Sequence, residues 1–221
     1  MRAARCCFHG GIMTLMGLGL LGMDVKLSAG QNLKESNRMQ QELRVDLRAR
    51  HTAGRVEFEY SLENTASQTI LVFDRLWDMQ TNTLKPDWAY VEIHESAATI
   101  KRAIEPLPKG LHIENPIVPY GREISPHSKA SGRFSLGLPL TESGAYSGFL
   151  YPGAQQKPGA IREIRFEVGW CPKPVSLPPA LHPVEMNGET LWLLPYGLVS
   201  MLQQIARSSP FQLDVPGLAF P

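Results

Sequence analysis

Three glycines near the N-terminus, Gly17, Gly19 and Gly22, have the G-x-G-x-x-G spacing of a dinucleotide-binding turn. That turn needs a strand before it and a helix after it, because the helix N-terminus must face the pyrophosphate. The next glycine, Gly30, follows too soon for a good crossover helix, and no strand–helix–strand alternation appears downstream. We therefore interpret the three glycines as part of an apolar segment and not as a nucleotide site.

The same segment has the features of an export signal. Arg2 and Arg5 give a positive start, residues 12–23 are apolar except for Thr14, and small residues follow at 28–30. The apolar run is shorter than the roughly 20 residues that a membrane-spanning helix needs. We expect a signal peptide over residues 1–30, a polar tether over 31–41, and a periplasmic or secreted protein without a stable membrane span. The alternative is an N-terminus with no targeting role.

Composition excludes some classes of partner. The 221-residue chain carries 22 basic and 21 acidic side chains, so its formal net charge is +1. Such a small net charge does not indicate a nucleic-acid-binding protein. Two of its three cysteines, Cys6 and Cys7, lie in the predicted signal, which leaves Cys171 alone in the mature chain. A single cysteine forms no internal disulfide, so packing must hold the fold. We predict a half-buried thiol at a strand end for Cys171 and not a nucleophile.

Familiar catalytic motifs are missing from the chain. There is no H-E-x-x-H, no C-x-x-C and no P-loop, and in GAYSG at 144–148 the serine lies one place late for a nucleophile elbow. His94-Glu95 has no second histidine at helical spacing. We therefore predict no metal, no cofactor and no enzymatic activity. An enzyme, hydrolase-like or metal-dependent, with a site assembled from distant residues is the alternative.

Residues 74–90 form a first candidate binding region because they contain Trp77 and Trp88 among several acidic side chains. Exposed aromatic rings flanked by carboxylates bind sugars or peptides. Tryptophans buried in the core would instead be structural, which is the commoner situation.

Residues 105–127 form a second candidate binding region, a proline-rich stretch without clear periodicity. It carries four side chains suited to binding: His112, Glu114, Tyr120 and His127. Long loops in compact domains are often functional, and the prolines favour a preformed binding loop. Protection of an open sheet edge is the structural alternative.

The elements that must position these residues are predicted to be strands. Apolar and polar side chains alternate over 43–49 and 56–62, the pattern of strands with one solvated face. Further strands are predicted at 69–73, 89–94, 99–104, 130–138 and 161–170. Seven such strands predict an all-β antiparallel sandwich over 42–170. Its core is predicted to contain Phe58, Tyr60, Phe134, Phe166 and Val168.

The remaining part, 171–221, is predicted to be a proline-rich connector, a hairpin and a short amphipathic helix packed on the sandwich. Asn187-Gly188 between two apolar runs is a strong hairpin signal. One helical face collects Leu198, Met201, Leu202 and Ile205, and Pro210 ends the predicted helix.

Two stretches resemble bacterial immunoglobulin-like modules. VEFEYSLENTASQTILVF at 56–73 resembles their paired B and C strands, and YGREISPHSKASGRFSLGLPL at 120–140 resembles a later turn and alternating strand. The resemblance implies an immunoglobulin-like β-sandwich. Such modules usually bind a ligand or act as spacers between other domains. We therefore expect an exported, non-enzymatic protein that binds a protein or a cell-envelope component. An inhibitor or chaperone of another exported protein is the alternative within that class.

Overall fold

The computed structural model describes residues 42–78, 81, 83–85, 87–112, 119–174 and 182–220. The predicted signal, tether and glycine motif lie outside the described residues. The described residues form fourteen strands and two short helices: β1 (Leu43–Thr52), β2 (Arg55–Asn64), β3 (Ile70–Asp78), β4 (Thr83–Lys85), β5 (Tyr90–His94), β6 (Ala97–Arg102), β7 (Tyr120–Ile124), β8 (Lys129–Gly137), β9 (Leu140–Thr141), α1 (Ser147–Leu150), β10 (Lys157–Pro172), β11 (His182–Met186), β12 (Glu189–Leu193), α2 (Tyr196–Leu202), β13 (Gln204–Arg207) and β14 (Phe211–Ala219).

The first sheet has three antiparallel strands in the order β1-β2-β8. The alternation that predicted β1 and β2 has its expected cause, because Val56, Phe58, Tyr60 and Leu62 are buried on one face. The other face carries charged side chains that pair across the strands, such as Arg50 with Glu57. The outer face is therefore an ordinary solvated sheet surface.

The second sheet is built around the long strand β10. One edge of β10 pairs with β3 and β6, and the other edge pairs with β14 and β13. The sheet continues from β3 through β7 and β12 to β11, and from β14 to β9. The β6–β10 and β9–β14 pairs are parallel, so the prediction of a purely antiparallel architecture is wrong at these two pairs.

The main core lies between the two sheets and confirms the all-β prediction. The ring of Phe166 in β10 lies 5.0 Å from Tyr60 and 5.9 Å from Phe134, which come from the opposite sheet. All five predicted core residues are buried: Phe58, Tyr60, Phe134, Phe166 and Val168. Burial of these side chains from both sheets provides the main hydrophobic stabilisation of the fold.

A second core covers the far face of the second sheet. In β3, Ile70 and Val72 face the main core, whereas Leu71 and Phe73 face this second core. The strand is therefore apolar on both sides, which explains why its sequence shows little alternation. The second core also contains Cys171 and is covered by α2 and by side chains of the segment 103–112.

The predicted hairpin is confirmed. β11 and β12 pair in register from Met186 and Glu189 outward. Asn187 and Gly188 both have positive φ angles, 53° and 77°, as a type I′ turn requires.

The predicted helix is shorter than expected, and the prediction that its apolar residues form one buried stripe is wrong. Met201 is 76% exposed, Ile205 lies in β13, and Val199 is the buried residue of α2. The helix ends because Gln203 adopts an extended backbone, and its side-chain amide exchanges two hydrogen bonds with the backbone of Ile104. Because Gln203 is bound to this distant residue, the chain continues as strand β13, which was not predicted from the sequence.

The prediction of a structureless loop over 105–127 is also wrong in its second half. Tyr120–Ile124 form β7, which pairs with β3 on one side and β12 on the other. Five residues are too few for alternation to stand out among flanking prolines. In the first half, Leu107 and Leu111 pack against the second core.

Candidate functional site

Of the six predicted binding residues, the structure brings Trp77 and Tyr120 together. Their rings lie 5.2 Å apart, on β3 and β7. Trp77 is half-buried and Tyr120 is buried, and both pack with Leu84 and Leu191. The pair therefore joins the hairpin β11–β12 to the sheet, which is a structural role.

Trp88 belongs to a different group of contacts. It is half-buried, its ring meets Tyr90 edge-on at 5.0 Å, and Lys85 lies over it at 5.6 Å. Its carbonyl oxygen accepts a hydrogen bond of 3.0 Å from Arg102 Nε.

The structure does not bring the two histidines of the second region together with Tyr120. His127 is exposed, with a positive φ angle of 54°, in the turn after β7, whereas Tyr120 begins that strand. His112 is exposed beyond Leu111, next to the second core. Glu114 lies outside the described residues.

The most strongly polar part of the interior is a charge network around Asp74. This carboxylate is fully buried, and it accepts a hydrogen bond of 2.8 Å from the Tyr60 hydroxyl. Arg122 Nη2 contacts the same carboxylate oxygen, and Arg75 Nη1 lies 3.3 Å from it. Arg102 is fully buried and donates to the Tyr60 hydroxyl at 3.0 Å.

The network extends from the core to the hairpin. Arg75 makes a bidentate pair with Glu189 of β12, with N–O distances of 2.7 and 2.6 Å. Among the described residues, Asp74 Oδ1 and Arg122 Nε have no hydrogen-bond partner. The network therefore ties β2, β3, β6, β7 and β12 together around one carboxylate.

Electrostatics favour a single protonation state for this network. Burial alone would raise the pKa of the Asp74 carboxyl, but the guanidinium groups of Arg122, Arg75 and Arg102 hold it below its ordinary value. Burial, and then the negative charge of Asp74, raises the pKa of the Tyr60 hydroxyl to about 12. At neutral pH, Tyr60 is thus a fixed donor and Asp74 a fixed acceptor.

An exposed apolar surface lies at another end of the domain, around α1. Phe149, Leu150 and Tyr151 are 65%, 51% and 42% exposed. Tyr151 stacks on Phe220 near the end of β14, with ring centroids 4.6 Å apart and planes 17° from parallel. We call these four residues the aromatic surface.

The aromatic surface is held in place by buried contacts. Tyr146, directly before α1, is buried in the second core. The Glu105 carboxylate accepts the Ala145 N–H at 2.6 Å, and a Cβ added at Gly144 would lie 3.1 Å from the same carboxylate oxygen. Ser143 exchanges two backbone hydrogen bonds of 2.8 Å with Val91 of β5. The short helix is therefore fixed to the sheet at its start.

Two clefts adjoin the stacked pair of Tyr151 and Phe220. The larger, of about 440 Å³, is lined by residues that include His94, Glu95 and Lys157. The smaller, of about 130 Å³, is lined by Glu92, Lys101, Glu105 and Glu142 among others. Glu142 and both rings border each cleft, so the aromatic pair divides one charged depression into two parts.

The aromatic surface was not predicted from the sequence, although the sequence contains a signal for it. Phe149, Leu150 and Tyr151 are consecutive apolar residues between Gly148 and Gly153, in a stretch without strand or helix periodicity. Such a run between glycines, outside any element predicted from the sequence, indicates an exposed apolar surface with a function. The partner ring, Phe220, lies too far along the chain to be linked to them from spacing.

The predicted role of Cys171 can be compared with its surroundings in the structure. Cys171 is fully buried in the second core, so the prediction of a half-buried thiol is wrong in its degree of burial. Burial raises the pKa of the thiol to about 12, so it stays protonated. In the described ranges, no group of three His, Cys, Asp or Glu side chains is placed to hold a metal ion. No helix within those ranges has the length and apolarity to cross a membrane.

Comparisons with protein-family models, with curated proteins and with solved structures give no match.

Proposed function

We propose that this chain is an exported, non-enzymatic β-sandwich that binds another protein through the aromatic surface. The observation that carries the proposal is the exposure of Phe149, Leu150 and Tyr151 on a segment whose start is fixed by hydrogen bonds. Large apolar side chains clustered on a surface mark interaction sites, because their burial against a partner is favourable.

The geometry of the aromatic surface suits recognition. Tyrosine and phenylalanine provide a large contact area with few rotatable bonds, and the stacking of Tyr151 on Phe220 restrains both rings. Little conformational entropy is therefore lost on binding, which raises affinity for a given contact area. Phe149 and Leu150 carry no group that transfers a proton, so their exposure favours binding over catalysis.

The strand order supports the immunoglobulin-like part of the proposal. We propose that the first sheet, β1-β2-β8, takes the places of strands A, B and E of that fold. In the same assignment, the facing strands β7, β3, β10 and β14 take the places of C′, C, F and G. The β5–β6 hairpin, which extends the edge of β10 beyond β3, would then be an insertion between the C and C′ strands.

Export is proposed from residues 1–30, with their positive start, short apolar run and small residues. We expect the mature protein, purified from the cells that make it, to begin near Gly30 when its N-terminus is sequenced. A soluble cytoplasmic protein that retains Met1 would contradict export without affecting the binding proposal.

Site-specific photo-crosslinking tests the binding proposal directly. With benzoylphenylalanine in place of Phe149, ultraviolet light should produce a defined covalent adduct with a partner in intact cells. In the matched control, benzoylphenylalanine replaces Arg133, which is exposed on the outer face of the first sheet. Equal adducts at both positions, or none at Phe149, would contradict the proposal.

A further inference from the structure

The smaller cleft beside the aromatic surface has an excess of negative charge. Three carboxylates, Glu92, Glu105 and Glu142, line it together with one ammonium group, Lys101. Lys101 is paired with Glu92. The other two carboxylates, Glu105 and Glu142, form no salt bridge with another described residue.

Both of these carboxylates are oriented by the backbone. Glu105 Oε2 accepts the Ala145 N–H at 2.6 Å, and Glu142 Oε2 accepts the Phe220 N–H at 2.6 Å. Among the described residues, the Oε1 atom of each has no hydrogen-bond partner. The two groups are thus fixed before any ligand arrives, and each keeps an oxygen available to accept a hydrogen bond.

The surroundings of Glu105 disfavour the ionised form of its carboxyl. Burial raises the pKa of its carboxyl, and the Ala145 N–H and Lys101 offset that effect only in part. A ligand cation in the cleft would stabilise the ionised form of Glu105. The cleft therefore favours a positively charged group.

We propose that the partner segment recognised at this site is basic and apolar together. A lysine or arginine side chain enters the smaller cleft and donates to Glu105 and Glu142, while an adjacent apolar side chain packs on the aromatic surface. This inference rests on the proposed function and adds the chemical class of the ligand. Phe149 and Leu150 have exposed hydrocarbon side chains, which match an aliphatic or aromatic side chain of a peptide.

Panning a displayed library of random linear peptides against the full chain tests this proposal. The selected peptides should be enriched in Lys or Arg next to an aromatic or aliphatic residue. The tightest of them, made synthetically, is then titrated against the chain and its variants by calorimetry.

The variant Glu105→Gln/Glu142→Gln removes the charges and keeps carbonyl oxygens that accept the Ala145 and Phe220 N–H groups. It should bind the selected peptide more weakly by about tenfold or more, as expected for the loss of hydrogen bonds to charged groups. The matched control is Glu57→Gln, an exposed carboxylate on the outer face of the first sheet, which should bind as the wild type does. The variant Tyr151→Ala reports separately on the aromatic surface.

The outcomes separate the two proposals. Selected peptides without basic enrichment, or basic peptides that bind the double glutamine variant unchanged but lose binding to Tyr151→Ala, would overturn the basic class of ligand and leave the binding surface in place. Peptides that bind Tyr151→Ala as tightly as the wild type, or a library that yields no binding peptide, would overturn both.

Discussion

Replacing Asp74 by asparagine should destabilise the protein by about 3–5 kcal/mol, the usual cost of removing one partner from a buried charge network. Asparagine keeps the shape of the side chain, so no cavity forms. The carboxylate is fully buried and lies against Arg122, Arg75 and Tyr60, with Arg102 bound to the same tyrosine hydroxyl. Its loss removes the carboxylate that Arg122 contacts and one of the two carboxylates that pair with Arg75. Urea unfolding monitored by tryptophan fluorescence measures the effect.

Glu189→Gln is the matched control for Asp74→Asn. It also removes one carboxylate charge from the network, but the Glu189 side chain is 41% exposed and solvent screens its pairing with Arg75. We expect a loss of less than about 1 kcal/mol for this variant. Equal effects of the two substitutions would show that burial of Asp74 does not determine the stability of the network.

Acid unfolding provides an independent measurement of the same carboxylate. Because the pKa of Asp74 is lower in the folded than in the unfolded protein, its contribution to stability is present above the unfolded value of about 4. That contribution is lost as the pH falls through the lower, folded pKa. The stability of Asp74→Asn should therefore depend less on pH in this acidic range than that of the wild type.

The parts of the fold that the sequence predicted are those with strong local signals. Alternation over 43–49 and 56–62 fixed which side chains face the core, because one face of the first sheet is solvated. Asn187-Gly188 predicted the hairpin because both residues tolerate the positive φ angles that its turn requires. The all-β class follows from these signals.

The parts that were missed depend on contacts distant in sequence. The apolar stripe at 198–205 has helical spacing, yet Ile205 lies in β13 because Gln203 binds the backbone of Ile104. Asp74 and Arg75 are ordinary polar residues at the end of a strand in the sequence, and their direct partners come from three other strands. A network of side chains from distant strands produces no periodic pattern in the sequence, so only the three-dimensional structure reveals it.

The candidate site also has one part that the sequence indicates and another part that depends on contacts distant in sequence. The run Phe149-Leu150-Tyr151 was visible in the sequence as an apolar run outside any predicted element. The stack on Phe220 and the orientation of Glu105 and Glu142 depend on the pairing of β9 with β14 and of Ser143 with Val91. Sequence spacing therefore indicated an exposed surface at most, and the charged clefts beside it required the fold.

Gly132→Ala should destabilise the protein by about 1–3 kcal/mol through overpacking, with a further cost of about 1–3 kcal/mol if the Tyr60 hydroxyl loses its partners. Gly132 lies opposite Tyr60 in the β2–β8 register. A Cβ atom at Gly132 would lie 2.1 Å from the tyrosine hydroxyl oxygen and 2.3 Å from the ring carbon that carries it. The ring cannot move aside freely, because Asp74 and Arg102 hold its hydroxyl.

Gly137→Ala in the same strand is the matched control, since a Cβ there would have no atom within 4 Å and its φ angle is not positive. Replacing glycine by alanine at such a position restricts the unfolded chain, so its stability should be unchanged or about 0.4–1 kcal/mol higher. Thermal unfolding followed by circular dichroism compares the two variants directly. Equal midpoints would contradict a Tyr60 ring fixed by its hydrogen bonds, whereas a lowered midpoint for Gly132→Ala alone is the result expected if the charge network sets the space between the two strands.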